Sequence, residues 1–177
     1  MLSILAIIAA IAVVVVVVIL IIAATKPDTF HVQRTSNIKA PPEKIFPLIN
    51  DLHNHTSWSP FEKDPAMKKT HSGAPQGKGA VYEWDGNRQV GKGRIEIADT
   101  TPPSKLTMKL DMFSPFEAHN MGEFTLEPQG QSTNVSWAMH GPQPFMAKVM
   151  GTVINCDKMV GSQFEEGLAK LKALAEK

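Results

Sequence analysis

Residues 145–174, FMAKVMGTVINCDKMVGSQFEEGLAKLKAL, decide the fold of this 177-residue chain. Apolar residues recur in this stretch at steps of three and four, which predicts one long helix with a single apolar stripe. The stripe consists of Phe145, Val149, Val153, Cys156, Val160, Phe164, Leu168, Leu171 and Leu174. Because Cys156 lies on the stripe and is the only cysteine, we expect a buried, unreactive thiol and no internal disulfide.

The segment between residues 66 and 140 alternates apolar and polar residues, a pattern typical of antiparallel strands that are solvated on one face. An earlier strand is expected at residues 30–38, followed by a short helix that opens near Pro42. Residues 50–65 are loop-like, and Asp85-Gly86-Asn87 indicates a tight hairpin. Such strands can bury the stripe of one helix only if their sheet curves around it. We therefore predict an α+β fold in which a curved antiparallel sheet wraps around a long C-terminal helix.

The N-terminal run ILAIIAAIAVVVVVVILIIAA, residues 4–24, contains no polar side chain. As a helix it spans roughly 30 Å, which is the hydrocarbon thickness of a bilayer. The alternative is a cleaved signal peptide, which has a positively charged start, a shorter apolar stretch and a small-residue exit. No Lys or Arg precedes this run and the run is too long, so we favour an uncleaved transmembrane helix.

These patterns divide the chain into a transmembrane anchor at residues 1–24, a stalk at 25–29 and a folded domain at 30–177. Lys26, Arg34 and Lys39 follow the span, and the positive-inside rule then favours a single-pass cell-membrane protein with a cytoplasmic domain. The net charge is only +1 and no basic face is visible, which argues against nucleic-acid binding.

Several stretches of the domain resemble the SRPBCC superfamily, which has the START/birch-pollen-allergen-like helix-grip fold. Within it, the chain is similar to the bacterial polyketide cyclase/dehydrase and lipid transport group. The matching stretches are residues 36–46 (SNIKAPPEKIF), 58–61 (WSPF), 79–84 (GAVYEW), 90–93 (VGKG), 135–137 (VSW) and 161–172 (GSQFEEGLAKLK). The resemblance implies a helix-grip fold and an internal ligand cavity. It implies no particular catalytic motif, because the superfamily contains lipid carriers, hormone receptors, cyclases and coenzyme-Q-binding proteins.

The residues that alternation points inward are rich in Met, Trp, Tyr and Gly, which suits a cavity with a soft, aromatic lining. We expect a small hydrophobic ligand there, its polar end held by Arg34, Tyr82 or Asn120. The expected lining is Arg34, Tyr82, Trp84, Met108, Met112, Asn120, Trp137 and Met139. The expected mouth consists of the loop aromatics Trp58, Phe61, Phe113 and Phe116. Alternatively, these side chains fill a solid core, satisfy one another's polar groups and plug one end of the sheet.

Other motifs give little support to catalysis or to a cofactor. His53-Asn54-His55 with Asp51 offers two imidazoles but no clear third metal ligand. The glycine-rich stretch 73–79 is one residue too short before its Gly-Lys pair and lacks the Ser/Thr of a phosphate loop. No serine has the context of a nucleophile elbow. We therefore assign no catalytic residue, no metal and no cofactor.

The sequence thus favours a membrane-anchored binding module for a small hydrophobic ligand, such as a lipid, a quinone or a polyketide-like compound. Its partners would be that ligand and the lipid bilayer around residues 4–24. Two alternatives remain. One is a cyclase/dehydrase-type enzyme in which Tyr82 or Arg34 polarises a carbonyl, and the other is a ligand-free interaction or stress-related module.

Overall fold

The computed structural model describes residues 2–177, with side chains described from Ile4 onward. The chain begins with one long apolar helix, continues with one strand and a short helical segment, then forms six consecutive strands, and ends with two helices. The elements are α1 (Leu2–Thr25), β1 (Thr29–Ile38), α2 (Pro42–Asn50), a 3₁₀ turn (Leu52–Asn54), α3 (His55–Trp58), β2 (Lys68–Gly73), β3 (Ala80–Asp85), β4 (Lys92–Thr101), β5 (Lys105–Ser114), β6 (Ala118–Gln129), β7 (Ser132–Pro142), α4 (Phe145–Val153) and α5 (Cys156–Ala175).

The seven strands form one antiparallel sheet in the order β1-β7-β6-β5-β4-β3-β2. Strands β2 to β7 each pair with their neighbour in the chain, and β1 lies beside β7. One face of the sheet, here called the inner face, packs against α5 through β1 and β7. The predicted α+β architecture, an antiparallel sheet that holds the C-terminal helix, is confirmed.

Rows of side chains cross the inner face, because residues paired across antiparallel strands point to the same side. The predicted alternation is confirmed in these rows. The first row is Arg34, Trp137, Phe124 and Leu106; the second is Val32, Met139, Gly122, Met108 and Ile97; the third is Phe30, Gly141, Asn120, Leu110, Ile95, Tyr82 and His71; the fourth is Met112, Gly93, Trp84 and Lys69.

The prediction of one continuous C-terminal helix is wrong, because the helix breaks between α4 and α5. Ile154 has an extended backbone, with φ −110° and ψ 129°. The side chain of Asn155 accepts a hydrogen bond from the backbone N–H of Lys158 at 2.9 Å, which caps the start of α5. Apolar steps of three and four continue across this junction, so periodicity alone does not reveal the break.

Only the second half of the predicted stripe packs into the sheet. Phe164, Leu168 and Leu171 are buried on α5. In contrast, Val153 and Cys156 are exposed, so the expectation of a buried thiol is also wrong. The break at Asn155 explains both differences, because it turns α4 and the junction away from the inner face.

Two glycines in α5 allow large side chains of the sheet to lie directly against the helix. A Cβ at Gly161 would overlap the guanidinium of Arg34, and a Cβ at Gly167 would lie 2.7 Å from the ring of Trp137. Glycine within a helix costs about 1 kcal/mol relative to alanine. This cost is offset by the close approach of Arg34 and Trp137.

Two connections differ from the expected ones. The segment expected to be a loop after Asn50 contains the 3₁₀ turn and the short helix α3. The hairpin expected at Asp85-Gly86-Asn87 is wider than a two-residue turn, because β4 starts only at Lys92. Gly91 closes this wider loop with a φ of +67°, a conformation that favours glycine.

The N-terminal helix α1 stands apart from the sheet. Within the described residues it is the one helix long and apolar enough to cross a membrane, over Ile4–Thr25. Its apolar side chains are exposed almost throughout, but Ala23 near its end is fully buried. The main contact of α1 is with α4.

Candidate functional site

The inner face has a closed end and an open end. The closed end lies where β1 finishes at Ile38, and its side chains are buried by α2 and α5; they include Ile38, Leu106, Phe124, Leu126 and Val135. The open end lies where β1 starts at Thr29. Ile95 and Tyr82 of the third row are buried. Six other side chains at this end are only half-buried; they are Phe30, Trp84, Leu110, Met112, Asn120 and Met139.

An aromatic cluster around Trp137 fills the closed end. The Trp137 ring stacks on Phe164 with centroids 4.1 Å apart and on Phe124 at 5.0 Å. Trp58 meets it edge-on at 5.5 Å, and Phe61 does so at 6.4 Å. Trp137 therefore forms the floor between the two ends, where no ligand could enter without displacing an aromatic ring.

The four aromatics expected at the mouth separate into two groups. Trp58 is only 1% exposed, and its indole N–H donates to the carbonyl of Leu48 at 2.9 Å. It belongs to the core, because that carbonyl satisfies its only polar atom. Phe61, Phe113 and Phe116 are exposed. Of these, Phe113 and Phe116 lie at the connection between β5 and β6, at the open end.

Arg34 contacts α5 rather than the open end. Its Nε donates to Oε1 of Glu165 at 2.8 Å, and its Nη2 donates to Oδ2 of Asp157 at 3.0 Å. The hydrogen bond from Arg34 lowers the pKa of the Asp157 carboxyl. The guanidinium is thus occupied in holding α5 on β1, and it lies against Gly161.

Tyr82 belongs to a buried polar cluster that the sequence did not reveal. Its hydroxyl donates to Oε1 of Glu62 at 2.7 Å, and Lys69 forms an ion pair with Oε2 of the same carboxylate. Nδ1 of His55 lies 3.9 Å from Oε1. Glu62 lies in the irregular loop between α3 and β2, and a residue in such a loop has no strand register from which to predict the direction of its side chain. Only its proximity in sequence to Trp58 and Phe61 hinted at this location.

The protonation states of Glu62 and Tyr82 do not change near neutral pH. Burial alone would raise the pKa of Glu62, but contacts with His55, Lys69 and Tyr82 outweigh burial and lower it to about 2. Burial and the neighbouring Glu62 carboxylate both raise the pKa of Tyr82. At neutral pH the carboxylate is a very weak base and the phenol stays protonated. The pair is therefore poorly suited to general acid–base catalysis, which needs groups that titrate near the working pH.

At the open end, Asn120 is a polar residue whose side-chain amide has no hydrogen-bond partner among the described residues. It is half-buried opposite Leu110 of β5, and Met139 lies one row away on β7; both of these apolar side chains are half-exposed. The backbone of Gly141 leaves room for it, because a Cβ there would overlap the Asn120 Oδ1. The amide can therefore offer both a donor and an acceptor to a bound molecule.

A cavity of about 140 Å³ lies at the edge strand β2, beside His71 at the end of the third row. The stacked imidazoles of His53 and His71, with centroids 4.1 Å apart, form part of its wall. Asp51 accepts a hydrogen bond from His53, whereas His55 points away into the core beside Trp58. Across the described part of the chain, no group of three or more His, Cys, Asp or Glu side chains converges as metal ligands would.

The architecture and the sequence together assign the family. A family model described as "Polyketide cyclase / dehydrase and lipid transport" matches residues 29–176, from the first residue of β1 to beyond the end of α5. The chain belongs to this family. The match leaves α1 outside, so the apolar helix is an addition to the family domain. A comparison with curated proteins finds no match.

Solved structures with the same fold come from distant organisms. A protein from Chromobacterium violaceum has a TM-score of 0.59 at 16% identity, covering 86% of this chain and 99% of its own. Ginseng major latex-like protein 151 from Panax ginseng has a TM-score of 0.60 at 12% identity, covering 83% and 97%. The Aha1 dimer from Colwellia psychrerythraea has a TM-score of 0.56 at 17% identity, covering 83% and 96%. At these identities the likeness concerns the fold alone.

Proposed function

We propose that this protein is a membrane-anchored binding module for a small hydrophobic ligand, held at the open end of the inner face. The observation that carries the proposal is a half-exposed apolar surface that surrounds one unpaired amide, that of Asn120. Fully buried rows beside it indicate that α2 and α5 cover the rest of the inner face. Family membership supports the same class of function, because its description includes lipid transport.

The ligand's apolar body would lie across the fourth row and the adjoining half of the third. Trp84, Leu110, Met112 and Met139 offer a soft surface there, with Met108 beneath it. A ligand that buries about 150 Å² of apolar surface gains roughly 4 kcal/mol from desolvation. Its polar end would bind Asn120, because the Arg34 guanidinium and the Tyr82 hydroxyl already have protein partners.

The anchor would keep this surface close to a membrane-dissolved ligand. Helix α1 ends at Thr25 and β1 starts at Thr29, at the open end. A stalk this short holds the domain within a small volume above the bilayer, which raises the effective concentration of the ligand. Phe113 and Phe116, exposed at the same end, would line the entrance.

Asn120→Leu tests the polar anchor, because leucine has a similar size and keeps the surface apolar. We expect about a fivefold loss of ligand retention, which corresponds to one lost hydrogen bond of about 1 kcal/mol. The measurement is native mass spectrometry of the full chain, released from membrane lipid extracts in mild detergent. Asn134→Leu is the matched control, because Asn134 is half-buried on the opposite face of β7. Equal retention by both variants would remove Asn120 from the site.

A ligand-free interaction module is the second candidate, and the packing of the closed end favours it. Trp137 is stacked between Phe124 and Phe164, so that half of the inner face is filled by the protein itself. The same experiment separates the candidates. A wild-type chain that carries no bound molecule after exposure to the extracts contradicts the binding module and favours the interaction module.

We also propose that the domain lies on the cytoplasmic side, because Lys26, Arg34 and Lys39 follow the span. The exposed thiol of Cys156 provides a native probe, since the chain has no other cysteine. We expect a membrane-impermeant maleimide to label it only after intact cells are permeabilised, and Cys156→Ser to abolish the label. Full labelling of intact cells would place the domain outside.

A further inference from the structure

Helix α4 is the least expected element of the fold, because its apolar side chains do not pack into the core. Met146 is 69% exposed and Val153 is 72% exposed, and Phe145 and Met150 are also exposed. The junction adds Ile154, which is exposed as well. A monomeric soluble domain rarely presents so many large apolar side chains together in water.

The charged side chain of α4 and that just after α1 both lie next to the stalk. Lys148 is the only charged residue in α4, and its side chain is 9% exposed. Its Nζ donates to Oδ1 of Asp28 in the stalk at 2.5 Å. Lys26, just after α1, donates to the carbonyl of Gly151 at 2.5 Å. Both lysines therefore lie at the level of the stalk, and the rest of α4 presents no charge.

The position of α4 beside α1 indicates what covers its exposed face. Helix α4 packs against α1, and the buried Ala23 marks the level of the contact. Ala23 lies two residues before the end of α1, which is about 3 Å along a helix. A helix at that level of a spanning segment lies at the boundary between lipid headgroups and acyl chains, where interfacial helices bury their apolar faces.

We propose that α4 lies in the membrane interface beside α1, with its exposed apolar side chains in the lipid. This inference rests on the proposed anchor. The Lys148 ammonium is directed away from the exposed apolar side chains and pairs with Asp28 in the stalk, as long cationic side chains do when they keep their charge out of the lipid. Phe113 and Phe116, exposed at the same end of the sheet, extend the lipid-facing surface. The arrangement holds the open end of the inner face against the bilayer.

Spin labels on single cysteines test the depth of α4 in the full chain. The labels are placed by Met146→Cys and Val153→Cys in a Cys156→Ser background. Ile8→Cys reports on the apolar run in the first half of α1, and Ala169→Cys, on the exposed face of α5, reports on water. The protein is reconstituted into vesicles of equal parts phosphatidylcholine and phosphatidylglycerol, and collisions with oxygen and with a nickel chelate are measured.

We expect the logarithm of the oxygen-to-nickel collision ratio to be positive at positions 146 and 153, as at position 8, and negative at position 169. A negative value at 146 and 153 with a positive value at 8 overturns the interfacial position but leaves the anchor intact. Protection of 146 and 153 from both reagents indicates cover by protein, such as a second copy, and also overturns it. A negative value at position 8 contradicts the anchor itself.

Discussion

At the scale of single residues, Glu62 carries a charge that burial opposes and its neighbours maintain. The carboxylate accepts a hydrogen bond from Tyr82 and pairs with Lys69, and its side chain is 10% exposed. These contacts fasten the loop after Trp58 to strands β2 and β3. Because they favour the ionised form, they link the stability of the domain to pH.

Glu62→Gln is expected to destabilise the domain at pH 7 by up to about 3 kcal/mol, the equivalent of the lowered pKa. The native pKa of about 2 lies below the ordinary value of 4.5, so this stability is complete above pH 4.5. It is lost as pH falls through the native pKa. The wild-type advantage in urea unfolding, measured in detergent micelles, should at pH 3 be less than half its pH 7 value.

Glu83→Gln is the control for this titration, because it makes the same charge change on the exposed face of β3. We expect it to leave the unfolding midpoint almost unchanged at both pH values. An advantage over Glu62→Gln that stays constant from pH 7 to pH 3 would show that Glu62 contributes through shape rather than charge.

At the scale of elements, the break between α4 and α5 depends on Asn155. Its side chain accepts the N–H of Lys158 and so satisfies one of the free backbone donors at the start of α5. Asn155→Ala is expected to cost about 1 kcal/mol. For a domain of this size that lowers the melting temperature by about 2–4 °C, measurable by circular dichroism in micelles.

Asn155→Asp keeps a capping oxygen and should melt close to the wild type. If Ala and Asp destabilise equally, the cap contributes nothing and another cause of the break is needed. One such cause is the pair of β-branched residues Val153 and Ile154, which have a lower helix propensity than unbranched residues.

Strands, helix ends and long-range contacts differ in how well the sequence predicts them. Alternation placed Tyr82, Met108 and Trp137 on the inner face, because strand side chains have a fixed period of two. The helix break cannot be predicted in this way, because a capping asparagine interrupts a helix without interrupting its apolar spacing. Partners such as Arg34 and Asp157, 123 residues apart, depend on how the elements assemble and not on any local pattern.

At the scale of the whole molecule, the apolar helix α1 and the open end lie at the same end of the domain. Under the proposed function, a spanning α1 would let the domain take a membrane-dissolved ligand directly from the bilayer. The advantage depends on distance, because the effective concentration falls as a flexible tether lengthens. The stalk between Thr25 and Thr29 keeps that distance short.

Insertion of a flexible Gly/Ser segment of about 20 residues between Thr25 and Lys26 tests this link. Such a linker has an average span of roughly 25 Å, enough to separate the domain from the lipid surface. We expect slower ligand uptake from vesicles at unchanged equilibrium retention, because the site itself is not altered. A rigid helical insert of equal length is the control, and it should slow uptake further by holding the domain away. Unchanged uptake with both inserts would mean that the ligand reaches the open end from water, so that the anchor serves only to place the protein in its membrane.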